Sequence, residues 1–171
     1  MMLIIEDSRQ QEGKHKNIHD YCRRNGIEIV RKCLENGDYA LGERGEDGEV
    51  HPVGNVTVDT KFSILELSKD IMSSDHRRFR DCCVRAQEAG LRLVILIEEV
   101  PKYGKIDLWE IPRWTSSNQF HRFGEPMTKV DPKALRKAML TMWRKYGVEF
   151  EFCTRRQSPA RVIRILKGEL R

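Results

Sequence analysis

Five consecutive apolar residues, Leu93-Val94-Ile95-Leu96-Ile97, stand between the turn signal Gly90 and the acidic pair Glu98-Glu99. A run this short and this apolar suits a strand buried on both faces, inside a sheet that helices cover on either side. It falls far short of the roughly 20 residues that cross a bilayer, so no membrane partner is expected. The segments around it alternate between strand and helix patterns, which predicts an α/β domain with a mixed sheet. The length of 171 residues suits a single domain, 1–171. Full disorder is excluded, because hydrophobic residues make up 39% of a chain that is also 33% charged.

Leu3-Ile4-Ile5 reads as a short strand ending at Glu6-Asp7, and Ile18 to Arg24 as a helix closed by Asn25-Gly26. Ile27 to Lys32 and Tyr39-Ala40-Leu41 read as strands around an Asn36-Gly37-Asp38 turn, and Gly42 to Gly54 as a loop or hairpin tip. Val56 to Phe62 alternates as a strand. A helix is expected from Asp75, its N-cap, to Gly90, with Phe79, Cys82, Cys83 and Ala86 on one face. Pro101 to Pro132 holds four of the six prolines together with Trp109 and Trp114, and reads as an insertion at about 101–131. Lys133 to Tyr146 is helical, with Leu135, Ala138, Met139, Met142, Trp143 and Tyr146 forming the buried stripe. Val148 to Thr154 is a strand, and Ser158-Pro159 opens a last helix that ends at Gly168.

The five cysteines are odd in number and show no C-x-x-C spacing, which suggests reduced thiols rather than a disulfide framework or a zinc knuckle. The opening MMLIIEDSRQQ has no basic leader of the signal-peptide kind. The expectation is a soluble, cytoplasmic protein. The net charge is +5, and its placement matters more than its size. Residues 1–130 carry 20 Lys+Arg against 22 Asp+Glu, whereas residues 131–171 carry 11 against 4. A positive field gathered in the last quarter is the footprint expected for a phosphate-rich partner, although a solvated basic face has the same composition.

The chemistry-bearing pattern is Asp38 followed by Asp59-Thr60-Lys61. Residues i and i+2 of a strand share a face, so Asp59 and Lys61 project together, and Asp38 can add a carboxylate from the neighbouring turn. Two carboxylates with the Thr60 carbonyl make a hard oxygen site for Mg²⁺ or Mn²⁺, and a lysine beside it can orient or deprotonate water. The bland reading is a surface ion pair next to a turn aspartate.

Several segments together resemble the nuclease domain of the XPF-type structure-specific endonucleases, within the PD-(D/E)xK nuclease superfamily. Ile4-Ile5-Glu6-Asp7-Ser8-Arg9 is similar to the family's first strand with its Asp-x-Arg ending, and Gly37-Asp38-Tyr39 to its Gly-Asp-Tyr. Val58-Asp59-Thr60-Lys61 stands where the family has Val-Glu-Arg-Lys, Arg77-Arg78-Phe79-Arg80 resembles its Gly-Arg-Phe helix start, and Leu93 to Glu98 its Leu-x-Ile-Glu strand. The resemblance implies a restriction-endonuclease-like mixed sheet flanked by helices. It also implies Mg²⁺-dependent phosphodiester hydrolysis in branched or duplex DNA (flap, fork or junction), with a place in repair or recombination. On that basis Asp38 and Asp59 hold the metal with help from Thr60, Lys61 activates water, and Asp7 is an accessory acid.

The chain departs from the pattern in four places. Asp-Thr-Lys replaces Glu-Arg-Lys, Leu65 stands where an acid follows the lysine, with Glu66 adjacent, Gln10 replaces the acid that often follows the first-strand arginine, and a helix–hairpin–helix pair is not expected. Lone domains of this kind are similar to those of phage and prophage genomes, which implies a bacterial or phage-infected cell. Nucleic-acid contacts are expected from Arg9, Lys14, His15, Arg77, Arg78, Arg80, Arg155 and Arg156, with His15 and His19 facing solvent or phosphate. The competing reading is a catalytically weak module of the same fold that binds DNA or forms a homodimer or heteromer. A further one is an interaction protein whose basic C-terminal segment meets an acidic partner.

Overall fold

The computed structural model describes residues 2–72, 76–99, 108, 111 and 131–169. The expectations for Asp75, Trp109, Trp114 and most of 101–131 lie outside them. The apolar run forms β5 (Arg92–Ile97), buried in a six-stranded sheet with β1 (Leu3–Asp7), β2 (Glu28–Lys32), β3 (Tyr39–Arg44), β4 (Val50–Lys61) and β6 (Glu149–Phe152). The strand order is β2-β1-β3-β4-β5-β6. β1 runs parallel to β2 and antiparallel to β3, β3 antiparallel to β4, and β4, β5 and β6 parallel to one another. The sheet is therefore mixed, as expected. No helix among the described residues is long and apolar enough to cross a membrane.

Alternate residues of β5 feed two cores. Leu93, Ile95 and Ile97 pack under α2 (Ile64–Met72), α3 (His76–Glu88) and α4 (Pro132–Tyr146), while Val94 and Leu96 pack under α1 (Lys16–Arg24) and α5 (Ser158–Leu166). This two-sided burial is the reason the run shows no polar alternation.

Four local readings need correction. α2 was not anticipated, although Ser63-x-x-Glu66 is a capping signal and Ile64, Leu67 and Ile71 recur at helical spacing. The Glu66 amide donates to Ser63 Oγ at 3.1 Å, and Glu66 Oε2 accepts from the Phe62 amide at 2.7 Å. The stretch from Gly42 to Gly54 is mostly strand rather than loop. Gly42 sits inside β3 because a Cβ there would come within 2.5 Å of Leu3 Cδ2, so close packing and not a turn requires the glycine. Trp143 is 49% exposed, not core. It lies seven residues after Arg136, hence nearly in line with that polar position, while Leu135, Met139 and Met142 form the buried line. Ser158 and Pro159, expected as N-cap and first helical residue, both lie inside the last helix, with Gln157 at its N-cap and Ser158 buried in its first turn.

Candidate active site

β1 and β4 both run antiparallel to β3, so their C-terminal ends meet the start of β3 at one end of the sheet. Open sheets with parallel strands bind ligands at that end. Here Asp7, Asp38, Asp59 and Lys61 line an open cleft of about 450 Å³ together with Glu66 and Asp70 of α2 and Arg78, Phe79 and Arg85 of α3.

Asp38 is placed by backbone geometry. Gly37 has φ +73°, and a Cβ on it would lie 2.2 Å from Thr57 Oγ1, so only glycine fits beside β4. The Asp38 amide donates to the Val58 carbonyl at 2.7 Å, and its carbonyl accepts from the Asp7 amide at 2.8 Å. Its Oδ2 accepts from the Thr60 amide at 2.8 Å and from Thr60 Oγ1 at 2.6 Å. Thr60 thus anchors the Asp38 side chain, a task the sequence reading did not give it. Burial raises the Asp38 carboxyl above its ordinary value, and the two Thr60 donors oppose that shift.

Asp59 and Lys61 pair in register with Ile95 and Ile97, on the sheet face that carries α2 and α3. Lys61 Nζ lies 2.8 Å from Asp59 Oδ1, 2.9 Å from Asp70 Oδ2 and 5.7 Å from the centre of the Phe79 ring. Burial pushes the Asp59 carboxyl up to about 7, with Lys61 opposing and the charge of Asp38 adding. Burial alone would lower the Lys61 ammonium, but the carboxylates of Asp59 and Asp70 outweigh it and the pKa rises. Lys61 is consequently held as a cation, the form in which it can orient water. When ionised, Asp38, Asp59 and Asp70 bring three negative charges against one ammonium, an excess of two.

That excess fits a divalent cation at Asp38 and Asp59. Among the described residues no cluster of three His, Cys, Asp or Glu side chains forms a closed cage. A site of two carboxylates, open toward a substrate phosphate, is the arrangement that Mg²⁺ favours.

The remaining expected residues divide by position. Asp7 reaches the cleft but is already paired, with its carboxylate 2.9 Å from Arg9 Nη2 and 3.0 Å from Arg9 Nε. Arg9 lines the cleft as the partner of Asp7. Lys14 also lines it, 3.6 Å from Glu66 Oε1 and 4.9 Å from the centre of the Phe62 ring. His15 is a correction. It is 3% exposed, stacked on Phe62 at 5.4 Å and set edge-on to Tyr39, so it cannot present itself to phosphate. Its Nε2 lies 3.4 Å from Thr60 Oγ1, whose own proton goes to Asp38, so Nε2 is the protonated nitrogen. Burial, helped by the neighbouring Lys14, lowers the imidazole to about 4. His19 stays half-buried and pairs with Glu6, its Nε2 2.9 Å from Glu6 Oε1.

Arg77, Arg78 and Arg80 are all exposed, yet only Arg78 borders the cleft. Arg80 pairs with Asp81 and faces a separate groove between α3 and α4. Arg155 lies 5.6 Å from the Phe62 ring and Arg156 is exposed beside it. Charged cleft residues that were missed include Glu35, Asp70 and Arg85. Arg85 stands two turns along α3 from Arg78, a spacing visible in the sequence. Asp70 could have been found one turn beyond Glu66 once α2 was recognised.

A family model of the ERCC4 domain matches residues 7–166, nearly the whole chain. Two similar solved structures are XPF from Aeropyrum pernix, at 15% identity and TM-score 0.59, and the same protein in complex with DNA, at 16% identity and TM-score 0.61. They cover 98% and 99% of this chain, which spans 64% and 65% of theirs, a little under two thirds. At that identity the likeness establishes the fold. No curated protein sequence matches. The turn that presents Asp38 and the strand that presents Asp59 and Lys61 both fall within the matched span, and the chain belongs to the ERCC4 domain family.

Proposed function

We propose that this chain is a metal-dependent endonuclease that hydrolyses phosphodiester bonds in DNA at a branched site such as a flap, fork or junction. The observation that carries the reading is the convergence of Asp38, Asp59 and Asp70 around the single ammonium of Lys61, in a cleft bordered by Arg78 and Arg85. A phosphate diester needs both halves of that arrangement, acids for a cation and fixed positive groups for its own charge. Family membership and the DNA held by one of the two similar structures support the same conclusion.

Asp38 and Asp59 would hold Mg²⁺ or Mn²⁺, with the Thr60 carbonyl as a further donor. When bound, the ion supplies positive charge to the reacting phosphate and makes water a stronger nucleophile. Lys61, fixed as an ammonium, orients the incoming water and balances the charge that grows on the phosphoryl oxygens. His15 acts from behind, since its proton on Nε2 fixes the Thr60 hydroxyl, which in turn fixes Asp38. Arg9, Lys14, Arg78 and Arg85 around the cleft, and Arg155 with Arg156 beside Phe62, would contact the sugar-phosphate backbone. Contacts of that kind read shape rather than sequence.

The test is cleavage of labelled single-stranded, duplex, flap and junction DNA in Mg²⁺, Mn²⁺ and EDTA. Cleavage of branched duplexes that requires the ion is the expected result. Binding without cleavage in either ion would leave only a DNA-binding module.

A further inference from the structure

Lys61 touches more than the residue two positions before it in β4. Its ammonium bridges Asp59 Oδ1 at 2.8 Å and Asp70 Oδ2 at 2.9 Å, with the Phe79 ring at 5.7 Å. β4, α2 and α3 therefore each contribute one group to the end of a single side chain. α2 is oriented by Ile64, Leu67 and Ile71, which are buried in the core, and this turns Glu66 and Asp70, one turn apart, toward the cleft. Glu66 is engaged elsewhere, by Lys14 and by the Phe62 amide. Asp70 has no such competing partner among the described contacts.

We infer that Asp70 is a positioning residue that keeps the Lys61 ammonium aimed into the cleft when Asp59 is drawn to a cation or substrate. Its catalytic consequence rests on the nuclease reading above, whereas its geometry does not. A lysine ends in a rotatable group on a flexible four-carbon stem, so one contact seldom fixes it. If Asp59 were its only anion, engaging Asp59 would leave a largely buried ammonium with nothing but an aromatic face. Leaving one member of a buried ion pair alone is strongly unfavourable. The second carboxylate removes that conflict, so Asp59 is free to change partners while Lys61 stays in place.

The test combines a magnetic-resonance readout with kinetics. Lysine ¹⁵Nζ–H correlation spectra record ammonium groups protected by ion pairing, and Lys61→Ala assigns the signal. The Lys61 signal should survive in Asp59→Asn, where the carboxylate charge is removed without a cation, and vanish in Asp59→Asn/Asp70→Asn. In single-turnover cleavage, Asp70→Asn should slow the reaction roughly 10- to 100-fold, the scale set by misplacing a reacting group. DNA affinity should hold, Asp70→Glu should restore most of the rate, and Asp70→Asn should add nothing in a Lys61→Ala background. Loss of the signal in Asp59→Asn alone would overturn the inference. So would its survival in the double variant, or a rate loss additive with Lys61→Ala. If the parent cleaves no DNA while the spectra behave as described, the nuclease reading fails and the two-carboxylate clamp stands.

Discussion

Two acidic sites lie near one end of the sheet, one a single buried glutamate and the other a trio of half-buried aspartates, and they are arranged in opposite ways. Glu6, 4% exposed, is surrounded by partners. Its Oε1 accepts from Tyr39 Oη at 2.9 Å and meets His19 Nε2 at 2.9 Å, and its Oε2 lies 3.3 Å from Arg31 Nε. Around the cleft, Asp59 and Asp70 share Lys61 while Asp38 rests on Thr60, and burial raises the Asp38 and Asp59 carboxyls. A buried acid that finds its partners within the chain holds the chain together. Acids left with surplus charge reserve a place for something the chain does not contain.

The largest expected effect separates the two on rate. Asp59→Ala should abolish cleavage, and Lys61→Ala should lower the single-turnover rate on the order of 100-fold or more, as removal of a charge-stabilising group does elsewhere. Glu6→Gln should leave the rate within a few-fold of the parent in the same assay. A comparable rate loss in Glu6→Gln would erase the distinction.

Stability should show the reverse order. Glu6→Gln disturbs three contacts, one of them fully buried, and should cost about 1–3 kcal/mol in denaturant unfolding. Asp59→Asn, measured without divalent ions near neutral pH, should cost nothing or melt higher, because it relieves repulsion from Asp38 and Asp70. An Asp59→Asn protein less stable than Glu6→Gln would contradict this.

The pH dependence sharpens the point. With its carboxyl raised from 3.8 to about 7, Asp59 contributes stability that is full below its unfolded pKa and is lost as pH rises through the folded one. His15 works in the opposite direction. Its imidazole is lowered from 6.5 to about 4, so its contribution is present above the unfolded pKa and lost as pH falls through the folded one. The parent alone should therefore show a shallow profile. The difference between parent and Asp59→Asn isolates the carboxyl, and melting temperatures that coincide near pH 4 should diverge by pH 7.5 in favour of the variant. A gap that stays constant with pH would remove Asp59 as its source.

The smallest effect concerns the arginines. Changing Arg78 and Arg85 together to Ala should flatten the plot of log K against log salt by roughly one unit per lost phosphate contact. Arg80→Ala, on the α3–α4 groove, should leave the slope unchanged.

The residues legible in the sequence were those whose geometry is local. Strand alternation put Asp59 and Lys61 on one face, and the glycine turn delivered Asp38, because both depend only on neighbouring backbone. The sheet class followed from one apolar run and the strand–helix alternation around it. His15 was misplaced because a polar setting in sequence gave no sign that Phe62 and Tyr39 would close over it. Trp143 was misplaced because a stripe read by residue type ignores the shoulder of the helix. Asp70 was invisible for a different reason. Its contact with Lys61 crosses a strand-to-helix turn, and until α2 is recognised nothing relates residue 70 to residue 61.

The surplus of carboxylates around Lys61 is the central claim, and melting with and without Mg²⁺ or Mn²⁺, in the absence of DNA, tests it most directly. Anything that binds the folded state alone raises the melting temperature by mass action. The parent and Glu6→Gln should each gain stability from the ion by a similar increment, whereas Asp38→Asn and Asp59→Asn should gain little or none. An equal gain in all four proteins, or none in the parent, would contradict the assignment of these carboxylates to a cation.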